Sequence, residues 1–305
     1  MRIAANLNVL DEVEFIETCI QHLRSIGVDL IVLTDIGSID GTADRLEKFA
    51  GDPDIRIIRI DREEDPWGFP ARMYKKTIAE FEVDRVLFLD ADEFWIPKSG
   101  NIKATSSLAE ADALTVRRLN VPLVKDRPLL PADLSPAGYG DLYVVANPMK
   151  NAVRWFKVEP DLAWIMTEVV PKMIINARTV EGVGTGTHKV VEKEGSTTTV
   201  VRPDDLIIAH VPFSTADRFA RKLDNIERSL TVFGHRLVGS EAWHWRRWLE
   251  LAKKNQIKEE FQRQVMKQEQ FDAAISEGII QSVQALFHAS VPPTYGATWY
   301  SERTS

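Results

Sequence analysis

Read from the amino terminus, the chain alternates short apolar runs with amphipathic stretches. Residues 3–8 form an apolar run suited to a strand, 12–25 carry apolar residues at helical spacing, and 30–34 return to a strand after the turn Gly27-Val28-Asp29. This strand–helix–strand order predicts an α/β fold built on a mostly parallel sheet. The segment Gly37-Ser38-Ile39-Asp40-Gly41-Thr42 supplies turn and cap residues, with Asp40 as a capping carboxylate, ahead of a helix carrying Leu46 and Phe49. A strand over 55–60, a helix over 70–81 and a wholly apolar strand over 85–89 follow.

From 120 to 149 the pattern breaks, because Pro122, Pro128, Pro131, Pro136 and Pro148 interrupt any long periodic element. The expectation there is a long loop, read either as a lid on the acceptor side or as a plain solvent-exposed insertion. Strand-like runs return at 169–175, 197–201 and 206–209, the last ending on His210, and 217–230, 241–254 and much of 257–287 read as helical. The expected division is a catalytic domain over 1–235, with halves at 1–100 and 101–235, and a helical extension over 236–305.

The apolar strand at 85–89 delivers Asp90-Ala91-Asp92-Glu93 and then Phe94-Trp95. Open parallel sheets bind ligands beyond the carboxyl ends of their strands, so acids at that position occupy the functional edge. Asp90 and Asp92 lie two residues apart and point the same way if the strand continues, which suits a hard cation, Mg²⁺ or Mn²⁺, bridging phosphate oxygens. An acidic turn capping the next element is the plainer alternative. Two histidines compete for a further ligand position. His210 ends an apolar strand, whereas His188 follows the glycine-rich run 182–186, so rigidity favours His210 as a ligand and leaves His188 as the alternative active-site histidine. The glycine run lacks the Gly-Lys-Ser/Thr of a phosphate-binding loop and reads as flexible backbone. Lys172 and Lys222 are candidates for balancing diphosphate charge.

Several stretches in order resemble glycosyltransferases of the GT-A fold, particularly family 2 and its relatives. Asp11-Glu12 before a helix is similar to the family's Asn-Glu, and Thr34-Asp35-Ile36-Gly37-Ser38-Ile39-Asp40-Gly41-Thr42 resembles its Asp-Asp-Gly-Ser-x-Asp-Gly-Thr. Gly68-Phe69-Pro70-Ala71-Arg72-Met73 resembles Gly-x-x-x-Ala-Arg-Asn and precedes Asp90-Ala91-Asp92. The likeness covers about the first third of the chain and departs from the pattern at Ile36 and Met73. It implies a Rossmann-like, mostly parallel central sheet flanked by helices, with a helical C-terminal extension. It also implies transfer of a sugar from a nucleoside diphosphate sugar to a hydroxyl acceptor, a glycan, lipid-linked glycan or polysaccharide, with divalent-metal dependence and inversion. Residue by residue, Asn8 and Glu12 would hold the nucleoside, Asp35 the base, and Arg72 would lie beside the donor. Asp90, Ala91 and Asp92 would serve the sugar, ribose and metal. His210 resembles a histidine found before a Phe-Ser segment and a helix with a lysine, here Lys222. The family's Glu-Asp base motif has no clean counterpart, and Glu168 is taken first by order along the chain, ahead of Glu181 and Asp161.

Composition narrows this picture. Among 305 residues the formal charge is -7, which argues against a general nucleic-acid binder. The single cysteine, Cys19, forms no internal disulfide, no run reaches the roughly 18 apolar residues of a membrane span, and the expectation is a cytoplasmic protein. Trp243, Trp245 and Trp248 beside Arg246 and Arg247 suit either peripheral contact with an anionic membrane face or packing within the fold or a homo-oligomer interface. Two rivals to the transferase remain: a catalytically silent carbohydrate- or partner-binding protein on the same fold, and a sugar nucleotidyltransferase. The glycine-rich basic loop usual in the latter is missing from Ala4-Ala5-Asn6-Leu7-Asn8.

Overall fold

The structure is a computed structural model in which residues 1–62, 69–237 and 241–289 are described. Gly68 of the motif above and residues 290–305 of the expected extension lie outside them. The chain gathers into two compact units, Met1–Arg118 with Val170–His210, and Leu119–Val169 with Val211–Ser305. The units interleave along the sequence.

The first unit is built on strands β1 (Ile3–Val9), β2 (Leu30–Asp35), β3 (Ile55–Arg59), β4 (Arg85–Asp90), β5 (Glu93–Pro97) and β6 (Ala113–Val116), with helices α1 (Ile16–Ser25), α2 (Thr42–Leu46) and α3 (Phe69–Glu80). Its seven-stranded sheet runs in the order Val200–Val201, β6, Lys172–Asn176, β4, β1, β2, β3. All pairs are parallel except those made by Lys172–Asn176, which is antiparallel to both its neighbours. This matches the expected α/β class with a mostly parallel central sheet and flanking helices.

Central strands of such a sheet are covered on both faces, which is why β2 is buried at every position and β1 at all but Asn8. Each fully buried Ile or Leu contributes about 1.5–3 kcal/mol relative to exposure. Helix α3 buries Phe69, Met73 and Tyr74 against Ala4, Val32 and Phe88 of the sheet. Phe15, at the N-cap of α1, lies edge-on to Phe94, and His22 Nε2 of α1 lies 2.8 Å from the Trp95 carbonyl, which ties the helix to β5. It starts at Ile16, later than its apolar spacing suggests. The residues just before it are bonded to the loop after β2: Glu12 N–H donates to Thr42 Oγ1 and Val13 N–H to Asp40 Oδ2.

The second unit surrounds an aromatic core in which Trp164, Phe213, Phe219 and Trp248 meet edge to face at 5.1–5.9 Å. The expected long loop over 120–149 instead contains short strands. Leu123–Val124 pairs with Val265–Met266, and Tyr143–Val145 pairs with Ile280–Ser282. Those pairings also divide the helical stretch over 257–287 into Ile257–Gln264, Gln268–Ser276 and Val283–His288. Trp248 is a core residue whose indole N–H donates to Glu260 Oε1 at 3.1 Å, and Trp243 packs on Phe156. Among the described residues no helix is long and apolar enough to cross a membrane.

Candidate functional site

The chain passes from β1 to β2 and β3 on one side of the sheet and then adds β4 on the other, so β1 and β4 flank a topological switch point. At their carboxyl ends Asn8 lies level with Asp90, and Val9 lies level with Asp35 of β2. The crevice beyond such a switch point is the ligand position of open α/β sheets. Two loops at this edge are cross-braced by side chains. Ser38 N–H donates to Asp35 Oδ1 at 3.0 Å, Ile39 N–H to Asp11 Oδ1 at 2.7 Å, and Thr42 N–H to Asp40 Oδ1 at 3.0 Å. Asp40, one residue before the Gly41 N-cap, thus bonds the first N–H of α2 and anchors the neighbouring loop as well. Arg62 grips both loops, bonding Asp11 Oδ2 at 2.7 Å and the Gly37 carbonyl at 2.8 Å. Gly37 has φ +69, and a Cβ there would meet the Arg62 backbone at 2.7 Å, so only glycine admits that close approach.

Beyond β4 the acids enter a charged cluster. Asp90, with its side chain 47% exposed, accepts from Lys172 Nζ at 2.8 Å. Glu93 is fully buried and accepts from Arg118 Nη1 at 2.6 Å and from the Asp90 N–H at 3.0 Å, with Lys172 Nζ 3.5 Å away. Burial pushes the Glu93 carboxyl above its usual range against the pull of Lys172 and Arg118. Burial also works against the Lys172 ammonium, but Asp90 and Glu93 more than offset it and hold its pKa above the usual value. Ala91, between the two aspartates, has no exposed surface.

Asp92 and His210 are both almost wholly buried, and Asp92 Oδ1 lies 3.9 Å from His210 Nε2. The separation follows from the pairing of β5 with Leu206–His210, in which His210 is opposite Glu93. It is too long for a hydrogen bond and falls within the span of two ligands on one cation, about 3–4 Å for bonds of about 2.1 Å. Among the described residues no three His, Cys, Asp or Glu form a ready metal cage. A divalent cation here would take its remaining ligands from phosphate and water, as Mg²⁺ ordinarily does.

His188 is held more firmly than the preceding glycines suggest. Gly184 N–H bonds the Lys189 carbonyl at 2.9 Å, Thr187 N–H bonds the Gly184 carbonyl at 3.1 Å, and His188 Nδ1 lies 2.7 Å from the Pro171 carbonyl. The glycine run is the bend of a hairpin, Val180–Val183 with Val190–Glu192, and not loose backbone.

Arg72 is on the exposed face of α3 with its guanidinium 4.5 Å over the Phe69 ring. Glu181 is exposed and paired with Lys75 at 3.2 Å. Glu12 is half-buried at the loop after β1. Glu168, Asp161 and Lys222 belong to the second unit, where Glu168 is exposed and Asp161 pairs with Arg263 at 2.7 Å. Arg62 and Arg118 carry no signal in the sequence that sets them apart from surface arginines. Glu93 is the third acid after the strand, and that adjacency is the one sequence signal for it.

No family model matches the chain, and no curated protein matches it. Among solved structures the chain is similar to TarS 1-349 from S. aureus in complex with UDP, at 12% identity and a TM-score of 0.36 over 76% of this chain and 66% of that one. It is similar to HddC from Yersinia pseudotuberculosis, at 14% identity and a TM-score of 0.36 over 72% of this chain and 97% of that one. A third likeness is to GalNAc-T7 with UDP, GalNAc and Mn²⁺, at 9% identity and a TM-score of 0.41 over 73% and 48% of the two chains. The chain spans 66% of the TarS fragment and 40% of the longer TarS structure. With TM-scores no higher than 0.41 among the three, none of these likenesses carries the fold or the function. Both rest on the chain's own strands and side chains.

Proposed function

We propose that this chain is a GT-A-type glycosyltransferase that moves a sugar from a nucleoside diphosphate sugar to a hydroxyl acceptor, a glycan, lipid-linked glycan or polysaccharide. The observation that supports it most is the convergence at one switch point of Asn8, Asp35 and Asp90, with Asp92, His210 and Lys172 of the same unit adjoining. In this reading Asn8, Glu12 and Asp35 hold the nucleoside, and the braced loops after β1 and β2 keep that edge in shape before the donor arrives. Asp92 and His210, with Asp90 beside them, would hold Mn²⁺ or Mg²⁺. When bound, the cation offsets charge that gathers on the departing diphosphate. Lys172 adds a fixed positive charge at the same place, kept protonated by Asp90 and Glu93. Arg72 lies on the donor side, Lys222 balances phosphate charge, and Glu168 takes the acceptor proton in an inverting transfer. Residues 1–100 form the nucleotide half, 101–235 the acceptor half and 236–305 a helical extension, in a cytoplasmic enzyme.

The test is a panel of nucleotide sugars incubated with the protein and Mn²⁺ or Mg²⁺, because slow donor hydrolysis needs no known acceptor. The expected result is release of nucleoside diphosphate from one class of donor, stopped by a chelator and by Asp92→Asn. Absence of hydrolysis and of binding across the panel would favour the silent binding protein. Release of pyrophosphate from a nucleoside triphosphate and a sugar phosphate would favour the nucleotidyltransferase.

A further inference from the structure

His188 has a defined chemical state. A backbone carbonyl can only accept, so the 2.7 Å contact with the Pro171 carbonyl requires that Nδ1 carry the proton and donate it. With the ring neutral, Nε2 then holds a lone pair. Burial, with the Lys172 and Arg118 charges behind it, pushes the His188 pKa down to about 4 against the pull of the Pro171 carbonyl and Asp90, so the ring is neutral at neutral pH. Among the described residues Nε2 has no hydrogen-bond partner. The bend beneath the ring is Gly186, at φ +70, where a Cβ would lie 2.8 Å from Nε2 and 2.7 Å from Cδ2. Any other residue there would crowd that edge of the imidazole, and glycine leaves it uncovered.

The surroundings narrow what this lone pair meets. Phosphate oxygens at neutral pH are acceptors and would repel it. A divalent cation finds the Asp92 carboxylate beside His210, whereas at His188 the charges of Lys172 and Arg118 outweigh that of Asp90. A hydroxyl group donates, is neutral and meets neither objection. Pro171, which holds the ring, directly precedes Lys172, and Lys172 binds Asp90 at the β4 end, so His188 belongs to the same edge as the acids.

We propose that His188 Nε2 accepts a hydrogen bond from a hydroxyl of the donor's sugar ring, making His188 a sugar-recognition residue and not a metal ligand or an acid. The proposal rests on the transferase reading. On that reading, nucleotide and metal are held by Asp35, Asp92 and His210, and His188 acts on the sugar alone.

The test compares binding of nucleotide sugars, from a panel of UDP-, GDP- and dTDP-linked hexoses, with binding of the matching nucleoside diphosphates, all with Mn²⁺. The proteins are the wild type, His188→Phe, which keeps the ring shape without a lone pair, and His188→Gln, which restores an acceptor oxygen. Loss of one hydrogen bond should weaken nucleotide-sugar affinity about tenfold in His188→Phe, leave nucleoside diphosphate affinity unchanged, and be partly reversed in His188→Gln. Nitrogen NMR should report the Nδ1–H tautomer, with the Nε2 resonance moving on addition of nucleotide sugar and not of nucleoside diphosphate. Equal weakening of both ligands in His188→Phe, an unchanged sugar contribution, or an Nε2–H tautomer would overturn the proposal. Failure of the wild type to bind any nucleoside diphosphate would overturn the transferase reading itself, an outcome distinct from these.

Discussion

Replacing Lys172 by Met keeps the length of the side chain and removes its charge from a place where two carboxylates depend on it. Lys172 is 6% exposed and Glu93 is wholly buried, so the pair is poorly screened by solvent. Removing one partner of a buried ion pair ordinarily costs about 3–5 kcal/mol. Glu93 keeps Arg118 at 2.6 Å, and that remaining partner sets the expectation at the low end, about 3 kcal/mol at pH 7. The loss should depend on pH in a definite direction. Burial already raises the Glu93 pKa, and without Lys172 only Arg118 and the Asp90 N–H offset it, so the pKa rises further. An acid with a raised folded-state pKa contributes stability that is full below its unfolded value and is lost as pH rises through the folded value. The deficit of Lys172→Met should therefore shrink as pH falls from 7.5 toward 5, as Glu93 takes up a proton. His188 acts in the same direction, because Lys172 is one of the charges that depress it. Urea denaturation of wild type and variant at pH 7.5, 6.5 and 5.5 checks this. A deficit under about 1 kcal/mol, or one that stays constant or widens in acid, would refute the electrostatic account of the cluster.

Asp35→Ala should weaken nucleoside diphosphate affinity about tenfold or more with little change in turnover, since the carboxylate fixes the Ser38 loop at the edge proposed for the nucleotide; lower turnover at unchanged donor affinity would move Asp35 to the reaction centre. In the wild type, a histidine whose folded pKa falls from 6.5 to about 4 contributes stability that is full above pH 6.5 and lost as pH falls toward 4. His188→Gln should flatten that part of the stability–pH curve, and an unchanged curve would mean that the ring is not held neutral. In the second unit, Glu260 is buried and bonds Arg247 at 2.6 Å, Arg263 at 3.1 Å and the Trp248 indole at 3.1 Å. Glu260→Ala should cost about 3 kcal/mol or more in thermal or chemical denaturation, and a loss under about 1 kcal/mol would show that the network contributes little.

The central strands were readable because a parallel strand buried on both faces leaves an unbroken apolar run, as in Val86-Leu87-Phe88-Leu89, and the acids at its end inherit a position from it. The cluster around those acids was much less readable. Glu93 meets Arg118 across 25 residues and Asp90 meets Lys172 across 82, and neither basic residue differs in type from a solvated surface charge. His188 shows the same limit: its glycines suggest slackness, while its fixity comes from a carbonyl 17 residues earlier. Strands of two or three residues, such as Leu123–Val124 and Tyr143–Val145, are too short to show a period, and their partners lie far along the chain. Proline spacing therefore reads as loop where the structure has ladder bonds.

The claim that a carboxylate and an imidazole at the β4 edge await a metal-bound diphosphate is tested most directly by calorimetric titration. A nucleoside diphosphate sugar, chosen from the hydrolysis panel, is titrated into wild type and Asp92→Asn, each with and without Mn²⁺. Wild-type affinity should rise at least about tenfold with the metal, and the Asn variant should show no metal-dependent gain while melting at the wild-type temperature. An equal metal-dependent gain in both proteins would contradict the account.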